Sequence, residues 1–339
     1  MRAVLMERGR IWVEQVEDPI PGPGEVLVKS LACGICGSDL HAAMHTEDFV
    51  ATSREAGGAF KLLTFDPVVL GHEFVAEVVD YGPNSQRTLG TGSLVCSVPV
   101  LLRETNLPVG YSHQTPGGFA QYMLLSERLL APVPQGTPVS AAALTEPMAV
   151  GLHAVNKAHL SGNEAILVLG CGPVGLAVIT ALKARGAGPI VAADYSPGRR
   201  HFAEQQGADW VVDPEQGNAF TAIDLKQHTD VVVFECVGVP GMLDNIFLNS
   251  PRNARIVVVG VCLQIDHARP LIAINKELSV QYVLGYSLDE FSETLELIAD
   301  GHFDVGGLVT GQVALEGVAE AFRELASPKH HAKILVEPW

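Results

Sequence analysis

Apolar positions in the first third of the chain recur at a period near two. Residues 3–5, 11–16, 25–32 and 74–81 are rich in β-branched side chains, and Pro19-Ile20-Pro21-Gly22-Pro23-Gly24 and Gly82-Pro83-Asn84 break them apart. Alternation bounded by such residues predicts short, half-buried strands, with a later one over 118–125. Near residue 140 the pattern changes. Residues 141–158 have helical composition, with Pro147 where a first turn tolerates it. Continuous apolar runs at 165–169, 189–193, 210–212, 230–234, 255–259 and 279–284 then predict strands, separated by helices over 174–185, 197–206 and 241–249. Val/Ile runs without alternation, flanked by helices, predict a parallel sheet covered on both faces. A helix over 289–300, a strand over 309–313, a further helix and a last strand over 332–337 have no place in that sheet and are expected to return to the first region. The predicted class is therefore α/β, with residues 1–145 plus 285–339 forming a β-rich domain and 146–284 a doubly wound domain inserted in it.

Composition narrows the partners. The 339 residues suit two domains rather than one core. Lys and Arg number 22 against 38 Asp and Glu, a net charge of −16 without a basic cluster. Such a surface repels phosphate backbones and anionic lipid, which argues against nucleic acid and membrane partners. No apolar run is long enough to span a bilayer, and residues 1–10 alternate apolar with charged positions, unlike a signal peptide. Six dispersed cysteines, Cys33, Cys36, Cys96, Cys171, Cys236 and Cys262, fit a reducing cytoplasm better than a disulfide framework.

Two motifs carry chemistry. Gly170-Cys171-Gly172-Pro173-Val174-Gly175 follows a predicted strand and opens a predicted helix. There the first glycine permits a tight turn, the second lets a pyrophosphate approach the backbone, and the third lets helix pack on strand. Asp194 lies nineteen positions after Gly175, at the end of the second strand. A carboxylate there accepts from ribose hydroxyls and repels a 2′-phosphate, so NAD is expected in preference to NADP. The plainer alternative is a turn aspartate starting the next helix. Arg199 and Arg200 follow; Arg199 either packs on the adenine or is a solvated helix residue.

The second motif is Cys36-Gly37-Ser38-Asp39-Leu40-His41 with Gly71-His72-Glu73 further on. Thiolate, imidazole and carboxylate form a ligand set for zinc, and a catalytic zinc takes three protein ligands and keeps one position open. Cys36 and His72 are the first two candidates. The third is Glu146, at the junction between domains, with Glu73 as competitor: an exchanging fourth ligand or a charge that stays off the metal. Cys33 and Cys36 also form a C-x-x-C, but no second such pair exists to complete a four-thiolate site. Cys33 reads as a buried small residue, and Glu146 has the alternative of a helix-start charge. His153 reads as a core or capping histidine, and His45, His113, His330 and His331 as surface residues.

Taken together, these residues resemble the zinc-dependent medium-chain dehydrogenase/reductase family, notably its sorbitol-like polyol and threonine dehydrogenase members. Pro21-Gly22-Pro23-Gly24-Glu25-Val26, Cys33 to His41, Gly71-His72-Glu73, Gly117-Gly118-Phe119-Ala120, Glu146-Pro147, the glycine fingerprint and Lys333-Ile334-Leu335-Val336 carry the likeness in order along nearly the whole chain. The resemblance implies a GroES-like catalytic domain with a Rossmann insert. It implies zinc on Cys36, His72 and Glu146, with Glu73 as mobile fourth ligand and Asp39 orienting the ligand histidine. Ser38 would receive the substrate proton and His41 relay it, while Val237, Gly238, Gly260, Val261 and residues 284–286 would line the nicotinamide. Family members form homodimers or homotetramers, and the strand over 279–284 is where two copies would pair. Two departures stand out. Between Ser93 and Gly118 only Cys96 remains of the family's structural-zinc cysteines, so one catalytic zinc and no second is expected. Residues 42–67, with Phe49, Phe60 and Phe65, are longer than usual and form either a flap over the pocket or a surface excursion. The expected function is hydride transfer between a secondary alcohol or polyol and NAD. The rivals are a metal-free quinone- or enoyl-reductase-like enzyme and a non-catalytic nucleotide-binding protein.

Overall fold

The computed structural model describes residues 1–58, 60–223, 230–326 and 331–339. The chain opens with an antiparallel hairpin, β1 (Arg2–Glu7) and β2 (Arg10–Gln15). Next come β3 (Glu25–Gly34), helices α1 (Gly37–Met44) and α2 (Thr46–Glu55), and β4 (Glu73–Tyr81). Four short strands follow: β5 (Leu94–Ser97), the small pair β6 (Val100–Leu101) and β7 (Leu107–Pro108), and β8 (Tyr122–Ser126), then β9 (Leu130–Pro132). Helices α3 (Val139–Ala142) and α4 (Thr145–Lys157) lead into β10 (Glu164–Leu169) and α5 (Pro173–Ala184). The alternation continues with β11 (Ile190–Ala193), α6 (Pro197–Gln206), β12 (Trp210–Val212), β13 (Asp230–Glu235), α7 (Met242–Asn249), β14 (Arg255–Val258), α8 (Pro270–Lys276) and β15 (Ser279–Tyr282). The last elements are α9 (Leu288–Ala299), β16 (Val309–Val313), α10 (Val318–Ala326) and β17 (Lys333–Val336).

Strands β10 to β15 form a six-stranded parallel sheet in the order β12-β11-β10-β13-β14-β15. Every residue of β10 and β11 is buried, which explains their unbroken apolar runs. The order reverses between β10 and β13, the crevice where open α/β sheets bind ligands beyond the strand carboxyl ends. The second sheet runs β16-β17-β3-β4-β5-β9, with β8 also on β3. The C-terminal strand β17 thus lies beside β3, bringing Lys333 next to the loop that follows it.

One apolar cluster reaches across both sheets. It joins Ala32 and Val75 to Leu144 and to Met148 and Leu152 of α4, to α5, and to Phe291 and Leu295 of α9. Helices α4 and α5 touch backbone to backbone. A Cβ on Gly151 would lie 2.4 Å from the carbonyl carbon of Ala177, so only glycine permits that spacing.

Several elements differ from the sequence reading. The strand expected over 118–125 begins at Tyr122, because Gly118 N–H is spent on Gly71 O (2.8 Å) in a turn. Helix α8 was not expected; it is seven residues long and begins at a proline. Residues 46–55 form a helix, so the long segment packs through ordered structure. Phe49 is buried against Phe60 and Tyr111, with ring centroids 4.8 and 6.0 Å away, and Phe65 stays exposed beneath the Arg8 guanidinium.

Candidate metal and dinucleotide site

Strand β3 ends at Gly34, and Cys36 then caps α1. Asp39, in the first turn, returns its Oδ2 to the Cys36 N–H (2.9 Å), which fixes the loop; an acid there also suits the helix dipole. His72 and Glu73 enter at the start of β4, the neighbour of β3. Ligand atoms of Cys36, His72 and Glu73 lie within 4.8 Å of one another. His72 is 8% exposed, and Glu73 and Asp39 are fully buried. His72 Nδ1 sits 3.5 Å from Asp39 Oδ1, too loosely aligned for a hydrogen bond. Glu146 is half-buried in the first turn of α4 and stands outside that trio, yet its charge is felt by His72 and Glu73.

The electrostatics show crowding of negative charge. Burial, then the neighbouring Glu73, push the Cys36 thiol up. Burial pushes Glu146 up to about 7, with Glu73 adding to it against the pull of His72 and Lys333. Burial opposes a charge on His72, but Asp39 and Cys36 outweigh it and hold its pKa well above the usual imidazole value. One cation is built in. Lys333 Nζ, buried, donates to both Glu73 oxygens (2.6 and 2.8 Å) and to Ile35 O (3.2 Å). A thiol, an imidazole and two carboxyls converge beside that lysine, and a metal would take the place of the protons that burial and crowding leave on them. The donor set therefore fits a divalent cation, and zinc by its mix of sulfur, nitrogen and oxygen.

Ser38 is half-buried, and its Oγ lies 2.6 Å from the Tyr111 hydroxyl, itself 3.0 Å from Asp39 Oδ1. Burial, with Asp39 and Cys36, pushes the Tyr111 phenol well above its usual value. The His41 Nδ1 is buried without a partner, and burial plus nearby His45 hold its pKa below the usual imidazole value. Cys33 is a fully buried thiol, as expected. His153 Nδ1 meets Glu290 Oε2 at 2.8 Å, while His45 and His113 are exposed. His331 is half-buried, 3.2 Å from Thr310 Oγ1, rather than on the surface; His330 lies outside the described residues.

At the crevice, Gly170 turns with φ +92°, and a Cβ on Gly175 would lie 1.9 Å from Gly170 O. The turn and the helix–strand contact both require glycine. Gly172 caps α5 and Pro173 takes its first position, leaving Val174 half-buried beside them. Asp194 Oδ2 accepts from Cys171 N–H (2.9 Å) and Oδ1 from Ser196 N–H (2.8 Å), so the carboxylate ties the glycine loop to the second strand. Arg199 leans over the same loop, its Nη1 3.7 Å from Asp194. Loops after β13 and β14 meet here. Glu235, buried, accepts from Val237 N–H (2.7 Å) and Gly238 N–H (2.8 Å), and a Cβ on Gly260 would strike both Gly238 N and Glu235. Val237 and Val261 are 42% and 49% exposed, apolar faces on the crevice loops. Sequence reading missed Glu235, Lys333 as a partner of Glu73, and Tyr111.

Residues 22–135 match the family model of the alcohol dehydrogenase GroES-like domain, and residues 173–300 that of zinc-binding dehydrogenases. The chain is 34% identical over 343 residues to (R,R)-butanediol dehydrogenase of Bacillus subtilis (strain 168), covering 97% of this chain and 96% of that one. Sorbitol dehydrogenase of the same organism is 29% identical over 356 residues, covering 100% and 97%. Among solved structures, 2R,3R-butanediol dehydrogenase from Bacillus subtilis superposes with a TM-score of 0.85 at 32% identity, over 100% of this chain and 99% of that one.

Proposed function

Because the chain belongs to the zinc-dependent medium-chain dehydrogenase/reductase family, we propose that its buried cysteine, histidine and carboxylates form the zinc centre of an alcohol dehydrogenase acting on secondary alcohols or polyols. The protein is an oxidoreductase that interconverts alcohol and carbonyl compound with zinc and NAD(P). The metal-free reductase and the non-catalytic nucleotide binder are accordingly disfavoured. In this reading residues 1–145 with 285–339 carry the metal and 146–284 the coenzyme.

Cys36, His72 and Glu146 would hold the zinc, with Glu73, paired at rest to Lys333 Nζ (2.6 Å), as the exchanging fourth ligand. Zinc, when bound, supplies a Lewis acid for the substrate oxygen, and the nicotinamide supplies the hydride acceptor. Asp39 faces the His72 Nδ1 and would orient the ring, tightening onto it when the other ring nitrogen takes the metal. Ser38 Oγ takes the substrate hydroxyl proton. His41, uncharged because its pKa is depressed, accepts it onward toward solvent. Asp194 selects NAD, Arg199 would pack on the adenine, and Val237, Gly238, Gly260 and Val261 would line the nicotinamide. A single zinc, a cytoplasmic location and a homodimer or homotetramer complete the reading; among the described residues no helix is long and apolar enough to cross a membrane.

The convergence of Cys36, His72 and Glu73, with ligand atoms within 4.8 Å of one another, carries this reading. In Cys36→Ser, zinc should fall well below one ion per chain and NAD reduction by a panel of secondary alcohols and polyols should drop more than about a hundredfold. Full turnover with wild-type metal content in that variant would overturn it.

A further inference from the structure

We propose that Tyr111 is a positioning residue that aims the Ser38 hydroxyl, a role resting on Ser38 being the group that takes the substrate proton. The Tyr111 oxygen lies 2.6 Å from Ser38 Oγ and 3.0 Å from Asp39 Oδ1, and it has one proton to give. Asp39 is a buried carboxylate that can only accept, and its Oδ2 is committed to the Cys36 N–H. Were Tyr111 to donate to Ser38, its lone pairs would face the carboxylate at 3.0 Å with no hydrogen between them. The phenol proton therefore goes to Asp39, the charged and stronger acceptor. Ser38 then donates its own hydrogen to the Tyr111 oxygen. That resting orientation turns the serine lone pairs outward, ready to accept from an incoming alcohol; as that proton arrives, the serine releases its own hydrogen from Tyr111 to the relay.

The tyrosine is held for this task. Its ring is buried and packs on Phe49, Phe60 and His72 at centroid distances of 6.0, 4.6 and 5.0 Å. Its carbonyl accepts from Lys61 N–H (2.9 Å), and its N–H donates to Pro108 O (3.2 Å). Phe49, Phe60 and Lys61 thus brace the hydroxyl from one side and the β6–β7 lobe from the other. Without the phenol oxygen the ring would still fill its place, but the Ser38 hydroxyl would turn freely.

The test compares Tyr111→Phe, Ser38→Ala and the double variant in the zinc-loaded enzyme, with zinc affinity of each metal-free protein read by chelator competition. Tyr111→Phe is expected to lower kcat for alcohol oxidation about tenfold while KM moves less than about twofold. In the Ser38→Ala background the same change should alter kcat by less than about twofold. Zinc affinity should stay within about tenfold of wild type. Wild-type kcat in Tyr111→Phe beside a crippled Ser38→Ala overturns the proposal alone. So does an equal loss in both backgrounds, or a loss of zinc binding beyond about a hundredfold, which would make Tyr111 part of the metal scaffold. Full turnover in Ser38→Ala overturns the serine reading itself, and the proposal with it.

Discussion

Asp194 shows how one carboxylate serves two tasks. It ties Cys171 and Ser196 N–H groups, and at the end of the second strand it is the carboxylate proposed to meet the coenzyme ribose. Removing it frees room for a 2′-phosphate and leaves Arg199 without its anionic neighbour. In Asp194→Gly, the NADP-to-NAD ratio of kcat/KM should rise roughly tenfold or more, measured by steady-state kinetics with both coenzymes. Unchanged selectivity would refute the role given to this side chain. Cys36, His72, Glu73 and the three glycines were legible in the sequence because local spacing and residue type carry their chemistry, whereas Ser38 was marked only by the family resemblance. Tyr111, Lys333 and Glu235 were not. Tyr111 reaches Asp39 across 72 positions and Lys333 reaches Glu73 across 260, and no local pattern encodes such a meeting. Glu235 ends an apolar strand, where nothing but the turned-back N–H groups of the next loop marks it out.

Among the elements, those with long apolar runs were legible and those without were not. The buried strands and α5 announce themselves through continuous Val, Ile, Leu and Ala. Helix α2, Thr46–Glu55, is mostly polar and shows only Phe49 and Val50 of an inner face, so its type was hidden. Strands β5, β6, β7 and β9 span two to four residues, too few to set a period. Strand β15 poses the opposite case. It is the edge of the parallel sheet, all four residues are exposed, and Tyr282 and Leu284 are 63% and 75% accessible. An apolar edge of this kind invites a second copy. In the proposed homodimer or homotetramer, Val280→Lys should shift the protein toward a monomer in analytical ultracentrifugation at micromolar concentration, with its melting still a cooperative transition. An unaltered oligomer would place the contact elsewhere.

At the scale of the molecule, Arg255 knots the bottom of the parallel sheet to the end of α4. It donates to His159 O (2.8 Å), to Ala158 O, and to Glu164 and Asp230 (both 2.7 Å). Burial would raise the Glu164 carboxyl, but Ser161 and Gly162 N–H groups and Arg255 prevail and hold it at about 2. Its unfolded value is near 4.5, so its stabilisation is complete above that pH and lost as the pH falls toward about 2. The gap in melting temperature between wild type and Glu164→Gln should therefore be full at pH 7 and narrow steadily below pH 4.5. A gap that persists unchanged at pH 3 would assign the effect to packing rather than charge.

Helix α4 starts with Glu146 at the metal cluster, and α5 starts with the glycine loop of the coenzyme crevice. Their rods lie in backbone contact at Gly151. With the ion held at Glu146 and the coenzyme at that loop, as proposed, their separation would be gauged by a hydrogen where any other residue would put carbon, and a methyl there would misalign two reagents that it never touches.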